Sequence, residues 1–126
     1  MIGLVVVSHS AKAAAGIVEI AAEMGGEGAR IEPAGGDPEG GVGTAVERIA
    51  SAIERAADGD GVVVCCDLGS AVMNAEMAVE TVNIGDEVVI ADGPILEGVL
   101  NAAVEATSPQ ATVESVVAAV EAARDL

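Results

Sequence analysis

Two side chains in this sequence have the types and positions that chemistry at a single site requires. His9, the only histidine, directly follows an apolar segment, and Asp67 directly follows another. Histidine can be a neutral nucleophile near pH 7, and a carboxylate that accepts a hydrogen bond from one ring nitrogen leaves the other nitrogen free to react. The pair indicates nucleophilic or acid–base chemistry at His9, oriented by Asp67. The simpler alternatives are a loop histidine without a role and an aspartate that only caps a helix.

The surrounding residues argue against several other mechanisms. Serine hydrolysis would need a serine relayed by His9, and the candidates Ser8, Ser10 and Ser70 lack the G-x-S-x-G pattern. No cluster of His and Cys residues could hold zinc, and the glycine-rich segment 40–43 lacks the lysine of a Walker motif. A histidine that faces the N-terminal ends of helices, without a metal or a basic cluster, suits reversible phosphorylation of its ring.

Hydrophobic patterns predict strands and helices in alternation. Short apolar segments predict strands buried on both faces, whereas apolar residues three or four apart predict amphipathic helices. The predicted strands are 2–7, 30–34, 62–66 and 87–91, and the predicted helices are 12–24, 44–57, 71–82, one after Pro94 and one after Pro109. Thr44 and Glu47 predict a capping box at the start of the second helix. The predicted inward-facing helix residues include Ile20, Met24, Leu96 and Val104.

Alternating strands and helices predict an α/β fold with right-handed crossovers. We expect an open parallel sheet in the order 2-1-3-4, with helices on both faces and a single domain over residues 1–126. The first and third strands are then neighbours, and their ends place His9 and Asp67 at one crevice. The N-terminal ends of helices at this edge bind phosphate through free N–H groups. The predicted phosphate-binding residues are Ser10, Gly43, Thr44, Gly69 and Ser70, although a plain capping role for Thr44 is an alternative.

The acidic composition limits the possible partners. Twenty-one Asp and Glu stand against five Lys and Arg, for a formal net charge of −16, and aromatic residues are absent. This charge would repel a phosphate backbone, and no aromatic side chain could stack on a base, so both observations argue against nucleic-acid binding.

No apolar run approaches the ~20 residues that span a bilayer, and Met1 leads into a strand without a basic leader, so we expect a cytoplasmic protein. Cys65 and Cys66 are adjacent in a strand and point to opposite faces, which favours free thiols.

Four segments together resemble one known family. They are Val5-Val6-Val7-Ser8-His9-Ser10, Gly43-Thr44, Asp67-Leu68-Gly69-Ser70-Ala71 and Pro94-Ile95-Leu96-Glu97-Gly98. Over essentially its whole length the chain resembles the phosphotransferase subunits of phosphoenolpyruvate-dependent dihydroxyacetone kinase. These subunits belong with the mannose-type IIA domains of the sugar phosphotransferase system (PTS). The Asp-Leu-Gly-Ser-Ala segment resembles the dihydroxyacetone branch, because the mannose branch usually carries a longer Gly-Gly-Ser/Thr-Pro loop there.

The resemblance implies a phosphotransferase subunit that uses His9. The ring would receive a phosphoryl group from the small phosphocarrier HPr and pass it to ADP held on the nucleotide-binding subunit of the kinase. A third subunit would hold dihydroxyacetone. The resemblance also implies a homodimer without a cofactor of its own. The HPr-like and enzyme-I-like domains that some members carry behind this one would come from other proteins.

Other functions stay open at this point. One is a mannose-type sugar component, another is a regulatory dimer with an inactive site, and a third is a binding module of receiver or flavodoxin type. A receiver would phosphorylate Asp67, but it needs acidic residues after the first strand and a lysine late in the chain, whereas the only lysine is Lys12. A flavin module would need aromatic rings, which the sequence lacks.

The net charge of −16 also predicts a protein adapted to concentrated salt. Self-repulsion destabilises the compact state when screening is weak, so the melting temperature should rise from dilute buffer to molar salt. Thermal melts across a series of KCl concentrations measure this. A midpoint that stays constant would leave an ordinary acidic cytoplasmic protein as the explanation.

Overall fold

A parallel β-sheet forms the centre of the molecule. The structure is a computed structural model that describes residues 1–125, so Leu126, the last residue of the predicted domain, lies outside the described residues. The strands in this part of the chain are β1 (Gly3–Ser8), β2 (Ile31–Gly35), β3 (Val62–Cys66) and β4 (Val88–Ala91). They pair in parallel in the order β2-β1-β3-β4. The predicted α/β class and strand order are therefore confirmed.

Helices cover both faces of the sheet, as predicted. They are α1 (Ala11–Gly25), α2 (Val46–Ala56), α3 (Gly69–Thr81), α4 (Ile95–Glu105) and α5 (Val113–Ala122), followed by a 3₁₀ turn at Ala123–Asp125. Helices α1, α4 and α5 share one core with the sheet, whereas α2 and α3 share the core on the other face. Within the described residues, none of these helices combines the length and the hydrophobicity that crossing a bilayer requires.

Strand β1 contributes side chains to both cores. Leu4 and Val6 point into one core, whereas Val5 and Val7 point into the other, because successive side chains of a strand alternate between faces. All four are almost completely buried, and burial of such a side chain stabilises the fold by about 1.5–3 kcal/mol. The end of β1, which leads directly into His9, is therefore fixed by packing on both faces of the sheet.

The predicted inward faces of two helices are partly wrong. The side chains of Ile20 and Met24 in α1 and of Leu96 and Val104 in α4 are between 38% and 54% exposed. The two helices instead bury mostly their small residues, namely Ala14, Ala21 and Gly25 in α1 and Gly98, Val99, Ala102 and Ala103 in α4. Because these side chains are small, α1 and α4 can pack closely against each other and against the sheet. In this packing the larger apolar residues of the two helices point outward.

The predicted capping box at Thr44 and Glu47 is also wrong. The N-cap of α2 is Ala45, which has no polar side chain. The Thr44 hydroxyl oxygen instead accepts a hydrogen bond from Nδ2 of Asn74 in α3, at 2.6 Å. Thr44 therefore ties the segment before α2 to α3 instead of capping its own helix.

Gly35, the last residue of β2, allows a close approach beside His9. A Cβ atom at this position would lie 2.6 Å from the carbonyl oxygen of Ser10 and 2.7 Å from Cα of Ala11. Both are backbone atoms at the start of α1, so they cannot move without shifting the helix. The absence of a side chain at Gly35 thus fixes how near β2 and α1 come together.

We expect Gly35→Ala to destabilise the protein by about 1–3 kcal/mol, the usual cost of overpacking. The matched control is Gly16→Ala in the middle of α1, where a Cβ atom would meet nothing within 4 Å. That control should stabilise the protein by roughly 0.5–1 kcal/mol, because alanine loses less backbone entropy in a helix. Urea unfolding of both variants measures the difference, and effects of the same sign would contradict the close contact at Gly35.

Candidate functional site

The adjacency of β1 and β3 brings His9 and Asp67 together. Val7 pairs with Cys66 in the sheet, and the Asp67 backbone N–H donates to the Val7 carbonyl at 3.1 Å. The Nδ1–H group of His9 donates to Oδ1 of Asp67 at 3.0 Å. The two side chains are 21% and 20% exposed, so both are reachable at the surface yet largely enclosed. The strand order therefore produces the neighbourhood that the sequence predicts.

Asp67 is held as an ionised carboxylate. Its second oxygen, Oδ2, accepts hydrogen bonds from the Ser8 hydroxyl at 3.0 Å and from the His9 backbone N–H at 2.9 Å. Burial raises the pKa of Asp67, but the hydrogen bonds from the His9 backbone and ring and from Ser8 outweigh it and hold the pKa below its ordinary value. The N-cap of α3 is the apolar Leu68. Asp67 is therefore oriented toward His9 and does not cap this helix.

The same geometry settles the tautomer of His9. An ionised carboxylate only accepts hydrogen bonds, so the ring proton lies on Nδ1, next to Asp67. The Nε2 atom then carries a lone pair, and the Ser70 hydroxyl donates to it at 2.7 Å. Ser70 is exposed in the first turn of α3, so its hydroxyl can rotate away. Nε2 is thus the ring nitrogen whose lone pair could attack a substrate.

The N-terminus of α3 supplies donors beside this nitrogen. The first peptide N–H groups of a helix have no acceptor within the helix. Those of Gly69 and Ser70 donate to no other group within residues 1–125. The Ser70 side chain, which belongs to this turn, reaches Nε2. These two N–H groups are therefore candidates to hold the oxygens of a phosphoryl group.

The other residues predicted to bind phosphate have structural partners. The Gly43 N–H donates to the His9 carbonyl at 2.8 Å, and the Ser10 N–H donates to the Ser8 hydroxyl at 3.1 Å. The Ser10 hydroxyl accepts from Ala13 and caps α1, as the sequence predicts. These groups hold the loop around His9 in place. In this arrangement their N–H groups are not available to a phosphate.

Asn74 was missed by the sequence analysis. It lies one turn after Ser70 in α3, and its bond to Thr44 fixes the residue next to Gly43. Gly43 in turn holds the backbone of His9. The backbone and the ring of His9 are therefore both connected to α3. The only signal in the sequence was an amide residue one turn beyond a predicted site serine.

The cysteines do not take part in this site. Cys65 belongs to the core on one face of the sheet and Cys66 packs against the core on the other, as predicted. Both thiols are free, and burial, with a smaller contribution from a neighbouring charge, raises the pKa of each to about 12. A thiolate is strongly disfavoured there, so redox or nucleophilic chemistry does not fit. Among residues 1–125, no group of three His, Cys, Asp or Glu side chains is arranged to hold a metal ion.

The site thus consists of one oriented histidine at the carboxyl edge of an open parallel sheet. The family described as "PTS system fructose IIA component" (EIIA-man) matches residues 3–117. The chain belongs to this family.

Curated relatives carry more specific names. A Listeria innocua protein named "PEP-dependent dihydroxyacetone kinase 2, phosphoryl donor subunit DhaM" is 36% identical over 107 residues, 83% of this chain and 86% of that protein. The Escherichia coli (strain K12) subunit of the corresponding name is 39% identical over 113 residues, 86% of this chain. This chain covers only 24% of that longer relative. A Lactococcus lactis protein named as the phosphotransferase subunit DhaM is 33% identical over 100 residues, 79% of this chain and 78% of that protein.

One solved structure shows the same fold. The crystal structure of EF1359, a protein described as of unknown function, aligns with a TM-score of 0.81. The two sequences are 29% identical, and the alignment covers 95% of this chain and 92% of the other. The fold is thus shared over nearly the whole length of both chains.

We expect Asp67→Asn to preserve the fold but to slow phosphorylation of His9, because the amide can neither fix the Nδ1 tautomer nor offset positive charge on the ring. In serine proteases the analogous change costs about 10⁴ in rate, and the loss here should be smaller because no proton relay is needed. The rate of His9 labelling by phosphoramidate, a small phosphoryl donor, measures the effect. Asp92→Asn is the matched control, because it removes one charge from an aspartate that is 90% exposed and pairs with Arg124. Equal rates in both variants would contradict the role of Asp67.

The lowered pKa of Asp67 adds a test of stability. A carboxylate whose pKa is lower in the folded than in the unfolded chain stabilises the fold above its unfolded value of about 4. That contribution is lost as the pH falls through the lowered folded value. The unfolding free energies of the wild type and Asp67→Asn, measured by urea unfolding across acidic pH, should therefore differ above pH ~4 and converge in stronger acid.

Proposed function

We propose that this chain is the phosphohistidine carrier of a PTS-dependent dihydroxyacetone kinase. His9 accepts a phosphoryl group from an HPr phosphocarrier and passes it to ADP held on the nucleotide-binding subunit of the kinase. The observation that carries the proposal is the state of the His9 ring: Nδ1–H is fixed on an ionised Asp67, and the Nε2 lone pair faces the N-terminus of α3. The names of the curated relatives support the kinase as the receiving system.

The first transfer uses the Nε2 lone pair as the nucleophile. Nε2 attacks the phosphorus atom of the donor's phosphohistidine, and the donor's P–N bond breaks with its electron pair returning to the donor nitrogen. The proton on Nδ1 stays in place, so the ring becomes positively charged while it carries the phosphoryl group. Asp67 offsets this charge across the 3.0 Å hydrogen bond. The phosphoryl oxygens accept hydrogen bonds from the N–H groups of Gly69 and Ser70.

The second transfer reverses these roles. A β-phosphate oxygen of ADP attacks the phosphorus atom, the Nε2–P bond breaks, and its electron pair restores the neutral ring of His9. ATP forms on the partner subunit, which can then phosphorylate dihydroxyacetone. Phosphoryl transfer of this kind depends mainly on positioning and charge stabilisation. The chain accordingly acts as a carrier between two proteins and holds no small substrate of its own. We expect it to work as a homodimer, as its resemblance implies, and in the cytoplasm, as the sequence predicts.

The alternatives fit the site less well. A mannose-type sugar component would share the histidine and the fold, but the relatives named above are subunits of dihydroxyacetone kinase. An inactive regulatory dimer would not require the intact set of contacts on both ring nitrogens of His9. A receiver would need acidic residues after β1, where Ser8 and Ser10 flank the histidine instead.

The test is the labelling of His9. Incubation with phosphoenolpyruvate, enzyme I and HPr should add one phosphoryl group to the intact chain, as measured by mass spectrometry. His9→Ala should remain unlabelled and should not support dihydroxyacetone phosphorylation, because the chain has no second histidine. The label should be lost in warm acid and kept in base, because protonation of the nitrogen improves the leaving group. A label that survives acid, or a labelled His9→Ala chain, would indicate phosphoserine and contradict the proposal.

A further inference from the structure

The few cations of this protein are used unevenly. Three of the five pair with carboxylates, namely Arg30 with Asp58 at 3.4 Å, Arg55 with Glu32 at 2.9 Å and Arg124 with Asp92 at 2.9 Å. Lys12 and Arg48 form no ion pair within residues 1–125, although the chain has 21 carboxylates. Both side chains are exposed. In so acidic a protein, two unpaired cations require an explanation.

Their positions do not favour stability. Lys12 lies in the first turn of α1 and Arg48 in the first turn of α2. The N-terminal end of a helix carries partial positive charge, so cations are disfavoured there and carboxylates are preferred. Both helices begin at the edge of the sheet that carries His9, and Lys12 is only three residues away from it in sequence. The two cations therefore sit beside the site at some cost to their own helices.

An open cavity connects Arg48 with this edge. The cavity has a volume of about 460 Å³ and is lined by Arg48, Glu47, Ala11 and Gly35, among others. Ala11 is the first residue of α1, and Gly35 ends the strand that pairs with Ser8. Arg48 thus faces the start of the helix that carries Lys12.

Three exposed apolar side chains lie on segments that adjoin the residues of the site. Val42, Leu68 and Met73 are each more than half exposed. Val42 precedes the glycine that holds the His9 backbone, Leu68 follows Asp67, and Met73 lies one turn after the start of α3. Interfaces between proteins are enriched in methionine and arginine and depleted in aspartate and glutamate. We call Lys12, Val42, Arg48, Leu68 and Met73 the His9 rim.

We propose that the His9 rim is the docking surface for the nucleotide-carrying acceptor subunit, with Lys12 and Arg48 facing its negative surface around the ADP phosphates. This assignment rests on the proposed function. Transfer requires the acceptor oxygen and the phosphorus atom to approach to about 3–3.5 Å, so the partner must cover this edge. The phosphohistidine and the diphosphate of ADP are both negatively charged, and they then approach each other at the surface of a protein whose net charge is −16. Unpaired cations at the contact reverse the local repulsion and guide association.

The experiment compares three single-charge variants in transfer from the phosphorylated chain to the ADP-loaded nucleotide-binding subunit. Lys12→Gln and Arg48→Gln remove rim charges. Arg30→Gln removes the same charge at the opposite edge of the sheet, where Arg30 pairs with Asp58. Each rim variant should raise the partner concentration for half-maximal transfer by roughly twofold to fivefold at low salt, the range of one exposed charge pair. The maximal rate should stay unchanged, and the difference should vanish at high salt.

Arg30→Gln should match the wild type in both the half-maximal partner concentration and the maximal rate, at low and at high salt. Rim variants that also follow the wild type at low salt, or that lower only the maximal rate, would overturn the docking surface while leaving the carrier function intact. Slower labelling by HPr with unchanged transfer to ADP would likewise overturn it, because the rim would then serve the donor. A wild-type chain that is labelled on His9 but never passes the phosphoryl group to ADP would overturn the proposed function itself.

Discussion

The pairing of β1 with β3 is the constraint on which the rest of the site depends. In this register Val7 lies opposite Cys66. Ser8 then ends β1 directly before His9, and Asp67 directly follows β3. A shift of one residue would turn the Asp67 side chain to the other face of the sheet and leave His9 without a partner. Because the side chains of β1 fill the cores on both faces, such a shift would also move Leu4 and Val6 into the core that Val5 and Val7 now fill and disrupt the packing of both. The same strand register therefore determines both the stability of the sheet and the geometry of the site.

The interior that enforces this register is built without a single aromatic ring. Valine, isoleucine and leucine fill most of the strands, and alanine and glycine make up most of the buried faces of α1, α3 and α4. Helices with small residues on their inner faces can approach the sheet closely, which is how α1 comes to start against Gly35 and next to His9. The site thus has little space around its backbone, and its loop is held by peptide hydrogen bonds instead of bulky side chains.

The strand order could be predicted from the sequence, but the buried faces of α1 and α4 and the partner of Thr44 could not. Alternating strands and helices were enough for the strand order, and the strand order was enough to place His9 beside Asp67. The failures share another cause. Ile20 was expected inside because it is large and apolar, yet the spacing of neighbouring helices is set by the smallest residues. Thr44 was expected to cap its own helix because capping is a local pattern, yet its partner Asn74 is thirty residues away in sequence. Such competition between local and tertiary hydrogen bonds leaves no periodic signal.

The contacts on both nitrogens of His9 have a consequence for how its partners recognise it. In the proposed carrier role, the ring is anchored at Nδ1 before any phosphoryl group arrives, and the hydroxyl at Nε2 has only to rotate to make room. Loading therefore requires no rearrangement of strands or helices, and the empty and loaded proteins share nearly the same outline. Partners that must bind one form and release the other cannot rely on shape. They must distinguish the two by the added negative charge, and in a chain that is already so acidic this discrimination has to be made within a few ångströms of the ring.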